Sequence, residues 1–379
     1  MSLLRTRPVA TPAMIATFDD AATIAAALAF EAALACAQAA EGVIAADSAE
    51  AIAAAAGRLA PDPAELAEAA ALAGTLAIPL VAQLRATLSG EAAAALHRGA
   101  TSQDIADTVL MMQVRQAATL LLADAARVTD ALAPLARRHA ATAAIGRTLL
   151  QDAQPIGFGL RIAHWHAGIA AAAARLSREV AAGAVLQWGG AAGTRPGQHG
   201  AAAAVARRLA QALGLADAPP WHARRDGVAA IAAALGILIG ALAKMARDIA
   251  LLAQNGVGEA HEPAVAGRGG SSAMAHKRNP TGCQTALSAA VRAPGLVAAI
   301  LTAMPAEEER GIGGWQTEGP VLVDLFLLAA GAAKAMGTVA EGLDIDTQAI
   351  ARNLAVAGQG ADIGDSVALV EALLAPGRD

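Results

Sequence analysis

Apolar positions recur at helical spacing along nearly the whole chain. Between Ala21 and Glu41, Ile24, Leu28 and Leu34 fall near one face, and Gly42 can stop the helix. A second stretch, Ala49 to Leu59, ends at Pro61-Asp62-Pro63, and a third, Ala64 to Ala73, ends before a break near Pro79. Together they predict a small N-terminal helical domain over residues 1–100. Ser102 to Ala140 then reads as one long helix interrupted only at Pro134. A polar bend at Gly146 to Gly159 separates it from a helix over Leu160 to Ala182. Gly189 to Gly200, with five glycines and a proline, marks a loop. Past Pro219-Pro220, Gly227 to Gln254 contains no breaker except internal glycines, and its 28 residues would span about 42 Å. Asn279-Pro280 predicts a helix start, Asn as cap and Pro in the first position, running through Leu301. Helices over Pro320 to Gly337 and Ser366 to Leu374 complete the pattern. No run of alternating β-branched residues predicts a strand, and no repeat of about 20 to 50 residues is evident. The expected fold is all-α: residues 101–340 form a central long-helix bundle, and 341–379 a shortened C-terminal helical segment.

Composition sharpens this picture. Hydrophobic residues make up 56% and charged residues 16%, but the apolar excess is mostly alanine, with Tyr 0, Phe 4 and Trp 4. Alanine favours helices that approach closely through small side chains. The mean hydropathy of +0.45 raises the question of a membrane. The uncharged stretch Val228 to Ala243 has 16 residues, short of the roughly 20 that a span requires, so no membrane partner is expected. A net charge of -5 gives no footprint for nucleic acid. The first residues, MSLLRTRPVATPAM, lack a continuous apolar stretch, and Cys36 and Cys283 are the only cysteines. These features argue against a secretory signal, a disulfide framework and a Cys-based zinc site, leaving a reducing cytoplasm as the expected setting.

Four segments could carry chemistry. Gly269-Gly270-Ser271-Ser272-Ala273-Met274-Ala275-His276-Lys277-Arg278-Asn279-Pro280 combines a mobile backbone, two hydroxyls and three potentially cationic residues ahead of a helix N-terminus. It reads either as a closing anion clamp or as a solvated loop with an Asn cap. In His97-Arg98-Gly99-Ala100-Thr101-Ser102-Gln103-Asp104, capping alone explains Thr101, Ser102 and Asp104. The same N-H groups could instead hold a substrate carboxylate, with His97 as a further donor. Gly146-Arg147-Thr148-Leu149-Leu150-Gln151 is a polar break between long helices, and Gly189-Gly190-Ala191-Ala192-Gly193-Thr194 lacks the Lys and flanking strand of nucleotide loops. Metal-ligand spacings and a GxSxG elbow are missing, so neither a metal nor another cofactor is expected.

In this order, the four segments resemble the fumarase/aspartase superfamily over nearly the whole chain, with 267–280 as the signature loop. HRGATSQD, QWGGAAGT, PWHARRD, KMARDIALLAQ, GRGGSSAM and the Glu309-Arg310 region are most similar to the bacterial 3-carboxy-cis,cis-muconate cycloisomerases. That resemblance implies a cofactor-free enzyme interconverting 3-carboxy-cis,cis-muconate and 4-carboxymuconolactone in protocatechuate (β-ketoadipate) breakdown. It further implies a homotetramer whose sites are shared between subunits. Carried over, Ser271 exchanges the carbon-bound proton, and Lys277 and Asn279 stabilise the developing negative charge, with His97 beside them. Thr101, Ser102, Arg147, Thr148, Gln151, Ser272, His276, Arg278 and Arg310 would hold the tricarboxylate substrate. Leu149 stands where lyases of the superfamily often carry an acid histidine, which favours the cycloisomerase over an adenylosuccinate lyase-like carbon–nitrogen lyase. An inactive structural paralogue is the remaining alternative.

Overall fold

The computed structural model describes residues 2–270, 274 and 277–375. Short N-terminal pieces, α1 (Leu3–Thr6), a 3-10 turn (Arg7–Val9) and α2 (Pro12–Thr17), lead into α3 (Asp20–Ala40). Then come α4 (Ala46–Arg58), α5 (Pro63–Ala73), α6 (Ala77–Ala86) and α7 (Gly90–Ala95). The long elements are α8 (Ser102–Arg138), α9 (Phe158–Gly183), α11 (Asp226–Leu252), α12 (Thr281–Ala303) and α13 (Gly314–Glu341). Between them lie β1 (Ala143–Thr148), β2 (Gln151–Gly157), α10 (Ala202–Ala212) and β3 (Ala260–His261), and β4 (Asp344–Ile345), α14 (Thr347–Ala357) and α15 (Ser366–Leu374) follow.

Five long helices close into a ring: α8 packs on α9 and α13, α11 on α9 and α12, and α12 on α13. Their core is built from Leu, Ile and Val with alanine at the closest approaches, as in Ala229, Ala232, Ala246, Ala329, Ala332 and Ala333. The bundle expected from periodicity is therefore present, with most helix ends within two residues of the expected ones. Helix α13 starts six residues before Pro320, which it carries in its interior, and α10, which packs on α3, had no expected counterpart.

One end of the bundle is tied by buried charge. Arg225, 2% exposed, donates to Asp107 on α8 (2.8 and 2.9 Å) and to Glu318 on α13 (3.0 and 3.1 Å through Nε, with a further bond from Nη2). Its guanidinium also lies 4.6 Å from the Trp221 ring centre. Burial works against the Arg225 charge, but Asp107 and Glu318 more than offset it and push its pKa up. The Glu318 carboxyl is raised, chiefly by burial, because one guanidinium cannot neutralise two carboxylates.

Two local expectations fail. Residues 143–157 form an antiparallel hairpin with a bulge between Ile145 and Arg147, not a helix-to-helix bend. Only Ile145, Thr148 and Ile156 supply β-branched character there, too few for a periodic signal. Pro280, not Asn279, occupies the N-cap of α12, and the Asn279 amide donates back to the Gly270 carbonyl at 3.3 Å. The cap comes from a distant residue: the Glu262 carboxylate accepts the Gly282 and Cys283 N–H groups at 3.0 and 2.6 Å. Glu262 and burial together push the Cys283 thiol well above its ordinary range, burial being the larger cause.

The uncharged run around Val228 lies inside a longer helix, so spanning length is reached after all. Stretches 12–40, 226–252, 281–303 and 314–341 are each long and apolar enough to cross a membrane. Helices α11 and α13 bury 56% and 67% of their most apolar windows within the bundle, whereas α12 buries only 22%. Val291 and Leu301 on α12 are consequently exposed at 80% and 52%.

The Arg225 cluster yields a graded expectation. Arg225→Met strands two buried carboxylates and should cost about 3–5 kcal/mol in urea unfolding. Glu318→Gln leaves a neutral Arg225–Asp107 pair and should cost well under half of that; equal losses would show that the excess negative charge is not what limits the cluster.

Candidate functional site

The start of α8 gathers one set of candidate residues. Thr101 is the N-cap, its own N–H bonded to the Asp104 carboxylate at 3.0 Å. Arg310, from the connection between α12 and α13, donates to the Thr101 hydroxyl at 2.6 Å and the Ser102 hydroxyl at 3.3 Å. Among the described residues no carboxylate pairs with Arg310, so its charge is left facing two neutral hydroxyls at a helix N-terminus. Asp104, fully buried, also accepts from Gln187 Nε2, Gly189 N and Gly190 N, all at 2.9 Å, and lies 2.9 Å from His222 Nε2. A side chain at Gly190 would be strained, since its φ is +73° and the added carbon would lie 3.0 Å from the Gly99 carbonyl. The glycine-rich stretch is thus a tie that holds α8's first turn. His97 sits on the preceding turn at φ 64°, with Nδ1 2.5 Å from Oε1 of buried Glu31.

The hairpin and the signature loop gather the second set at the other end of the bundle. Arg147 forms a forked pair with Glu259 at 2.9 and 2.6 Å, and Asn353 adds 2.8 Å to the same carboxylate. That pairing, above all the hydrogen bond to Glu259, raises the Arg147 pKa. Arg161, lowered by burial, stands 3.7 Å from Glu259 as a second counter-charge. Thr148 and Gln151 are exposed and directly paired across the hairpin turn. Between them Leu149 and Leu150 hold φ of 53° and 64° and are 96% and 73% exposed. Arg278 donates to the Glu262 carbonyl at 3.1 Å, and Lys277 is exposed. Beneath the hairpin, α9 and α11 enclose a cavity of about 710 Å³ that Arg147, Arg161, Trp165 and Lys244 line.

Helix α8, whose 37 residues at about 1.5 Å each make it ~55 Å long, separates the two sets, which lie at opposite ends of the bundle. Within one chain Thr101, Ser102 and Arg310 converge, while Arg147, Thr148, Gln151, Lys277, Arg278 and Asn279 lie at the opposite end. Ser271, Ser272 and His276 lie outside the described residues. Sequence reading missed Glu31, Gln187, His222, Glu259 and Glu262. A glutamate inside an otherwise apolar helix, as at Glu31, was the one available signal; the others sit in loops whose partners lie far off in sequence.

A family model described as lyase matches residues 6–295. A curated 3-carboxy-cis,cis-muconate cycloisomerase of Bradyrhizobium diazoefficiens is 47% identical over 346 residues, covering 90% of this chain and 77% of that protein. A nitrosuccinate lyase of Streptomyces davaonensis is 40% identical, covering 94% and 77%. Among solved structures, the 3-carboxy-cis,cis-muconate lactonizing enzyme from Pseudomonas putida superposes with a TM-score of 0.87 at 38% identity, covering 98% of this chain and 87% of that one.

Arg147 can be tested without any substrate. Glu259 has no exposure, so Arg147→Met should lower stability by about 3 kcal/mol in urea unfolding, because a buried carboxylate loses its forked partner. Thr148→Ala, at an exposed position of the same hairpin, should stay within about 0.5 kcal/mol of the parent.

Proposed function

The chain belongs to the fumarase/aspartase family of lyases, and from that premise we propose that it is a cycloisomerase interconverting 3-carboxy-cis,cis-muconate and 4-carboxymuconolactone. The observation that carries the reading is Arg310 on the Thr101 and Ser102 hydroxyls: a positive, hydroxyl-lined helix start suited to a carboxylate. The likeness to cycloisomerases over nine-tenths of the chain supports the choice of substrate.

In lactonisation a substrate carboxylate oxygen adds across the activated double bond, and the carbon beside another carboxylate gains a proton. Negative charge builds on that second carboxylate, so cations and N–H donors must already face it. In this reading Ser271 donates the carbon-bound proton, and accepts it in the reverse direction, with Lys277 and Asn279 against the developing charge. Thr101, Ser102, Arg310 and His97 hold the remaining carboxylates. Leu149 stands at the hairpin tip, and no acid is required there, since the group that leaves in the reverse direction is already a stable carboxylate anion.

Because the two sets sit at opposite ends of the ~55 Å helix α8, this reading completes the site with the hairpin and loop of other copies. We read the bare apolar face of α12 as the packing surface of a homotetramer, not as a lipid-facing one. Buried charges inside the bundle, and two unpaired cysteines that suit a reducing cytoplasm, support that reading. The 40% likeness to a nitrosuccinate lyase favours one second reading, a carbon–nitrogen lyase acting on a smaller carboxylate.

In detergent-free buffer, light scattering should give about four times 37.5 kDa; a monomer would contradict the shared site. Mixed with 3-carboxy-cis,cis-muconate, the protein should abolish the diene's ultraviolet absorbance, and Ser271→Ala should slow this by about 10³-fold or more. A folded tetramer that leaves the diene intact but eliminates nitrite from nitrosuccinate would move the assignment to the second reading.

A further inference from the structure

Glu31 is a charged residue in an otherwise apolar part of α3, with 1% of its surface exposed. Burying a carboxylate there costs free energy unless a partner compensates it. Oε1 lies 2.5 Å from His97 Nδ1, and among the described residues Oε2 finds no hydrogen-bond partner. Among the described residues, one ring nitrogen of His97 is thus the one hydrogen-bond partner this carboxylate's side chain has. Seven residues on, and so on the same face of α3, Gln38 donates to the Arg98 carbonyl at 2.8 Å and to Gln198 at 3.1 Å. Gly99 completes the clamp: a side chain there would strike Gln198 and the Pro196 carbonyl. The turn at 97–99 is thus gripped by α3 on one side and by the glycine-rich loop on the other, immediately ahead of Thr101 and Ser102.

His97 itself adopts a left-handed backbone, which costs a non-glycine residue free energy and re-aims its side chain. Its ring keeps 19% exposure although the Nδ1 edge abuts a buried group, so the open part of the ring is the opposite edge. A carboxylate only accepts, and Nδ1–H is the donor that meets it. The other nitrogen, Nε2, is then left to meet a ligand.

We propose that Glu31 is a positioning residue for the reaction: it holds His97 in the orientation that presents Nε2 to a substrate carboxylate beside Thr101, Ser102 and Arg310, the ring meeting both carboxylates as the doubly protonated imidazolium, with Nδ1–H on Glu31 and Nε2–H on the substrate. The proposal rests on the reading of His97 as a substrate contact. Glu31 touches no substrate and acts through the imidazole alone.

Steady-state kinetics on 3-carboxy-cis,cis-muconate with Glu31→Gln, His97→Ala and the double variant test it. Glu31→Gln should raise KM by about tenfold with kcat changed far less, the scale on which groups that orient a ligand-binding histidine act. His97→Ala should raise KM at least as much, and adding Glu31→Gln to it should cost nothing more. A further loss in the double variant, or wild-type KM in Glu31→Gln while His97→Ala is impaired, overturns the proposal. Wild-type kinetics in His97→Ala overturns its premise instead.

Two arms guard against misfolding and against an inactive protein. Glu31→Asp keeps the charge and should give a KM between those of wild type and Glu31→Gln; full impairment would overturn the proposal. In folded wild-type protein carrying ¹⁵N-labelled histidine, the His97 resonance should show a proton on Nδ1. A bare Nδ1 overturns the pairing whether or not the muconate is turned over.

Discussion

Arg225 is the pin on which the α8 end of the bundle turns. It joins α8 through Asp107 and α13 through Glu318 to the start of α11, whose N-cap it is. Asp104 lies one turn before Asp107 on α8 and bonds the glycine-rich loop with both oxygens. Two carboxylates in the first turns of a helix also suit its positive end. The position of Thr101 and Ser102, and of the Arg310 that leans on them, follows from these two aspartates. An apolar replacement could fill the same volume, but apolar contacts slide, whereas a forked guanidinium fixes distance and angle.

At the other end the economy is different. The hairpin turn puts two leucines at positive φ, where glycine or asparagine is usual and each bulky residue costs about 1 kcal/mol or more. Among the described residues little covers these side chains, which stay 96% and 73% exposed, so the isolated subunit gains little in return. Helix α12 repeats the pattern on a larger scale, with apolar length left bare. Strain at a tip and an uncovered stripe both find compensation if other copies pack against them. Assembly would then also bring together the two sets of site residues that α8 holds apart.

Helices were legible because alanine and the 3.6-residue period speak with one voice over 20 or more residues. Ser366–Leu374 was located to the residue, and α8 runs on through Pro134, where an interruption was expected. The hairpin was not legible: its pairing is fixed by register and by the packing of Gly146 and Gly157 against neighbouring carbonyls, not by propensity. The start of α12 was misread for a related reason. Asn279-Pro280 looks like a cap, yet Glu262, twenty residues away, reaches the free N–H groups first. Short-range rules fail where a distant carboxylate supplies the same bond more strongly.

The same contrast separates residues that bind from residues that only look able to. Arg147 and Arg310 are both arginines beside a hydroxyl in a polar segment, indistinguishable by type. Arg147 is spent on a buried glutamate, so its fork is occupied before any ligand arrives. Arg310 meets hydroxyls alone, and among the described residues no carboxylate pairs with it. A ligand that takes Arg147's fork must displace Glu259, which would keep only Asn353 and the more distant Arg161, whereas one that binds Arg310 gains a charge-assisted bond and displaces no carboxylate among the described residues. On the proposed reading, recognition of the substrate's carboxylates would therefore be weighted toward the α8 end, where Arg310 is the cation without a carboxylate partner among the described residues.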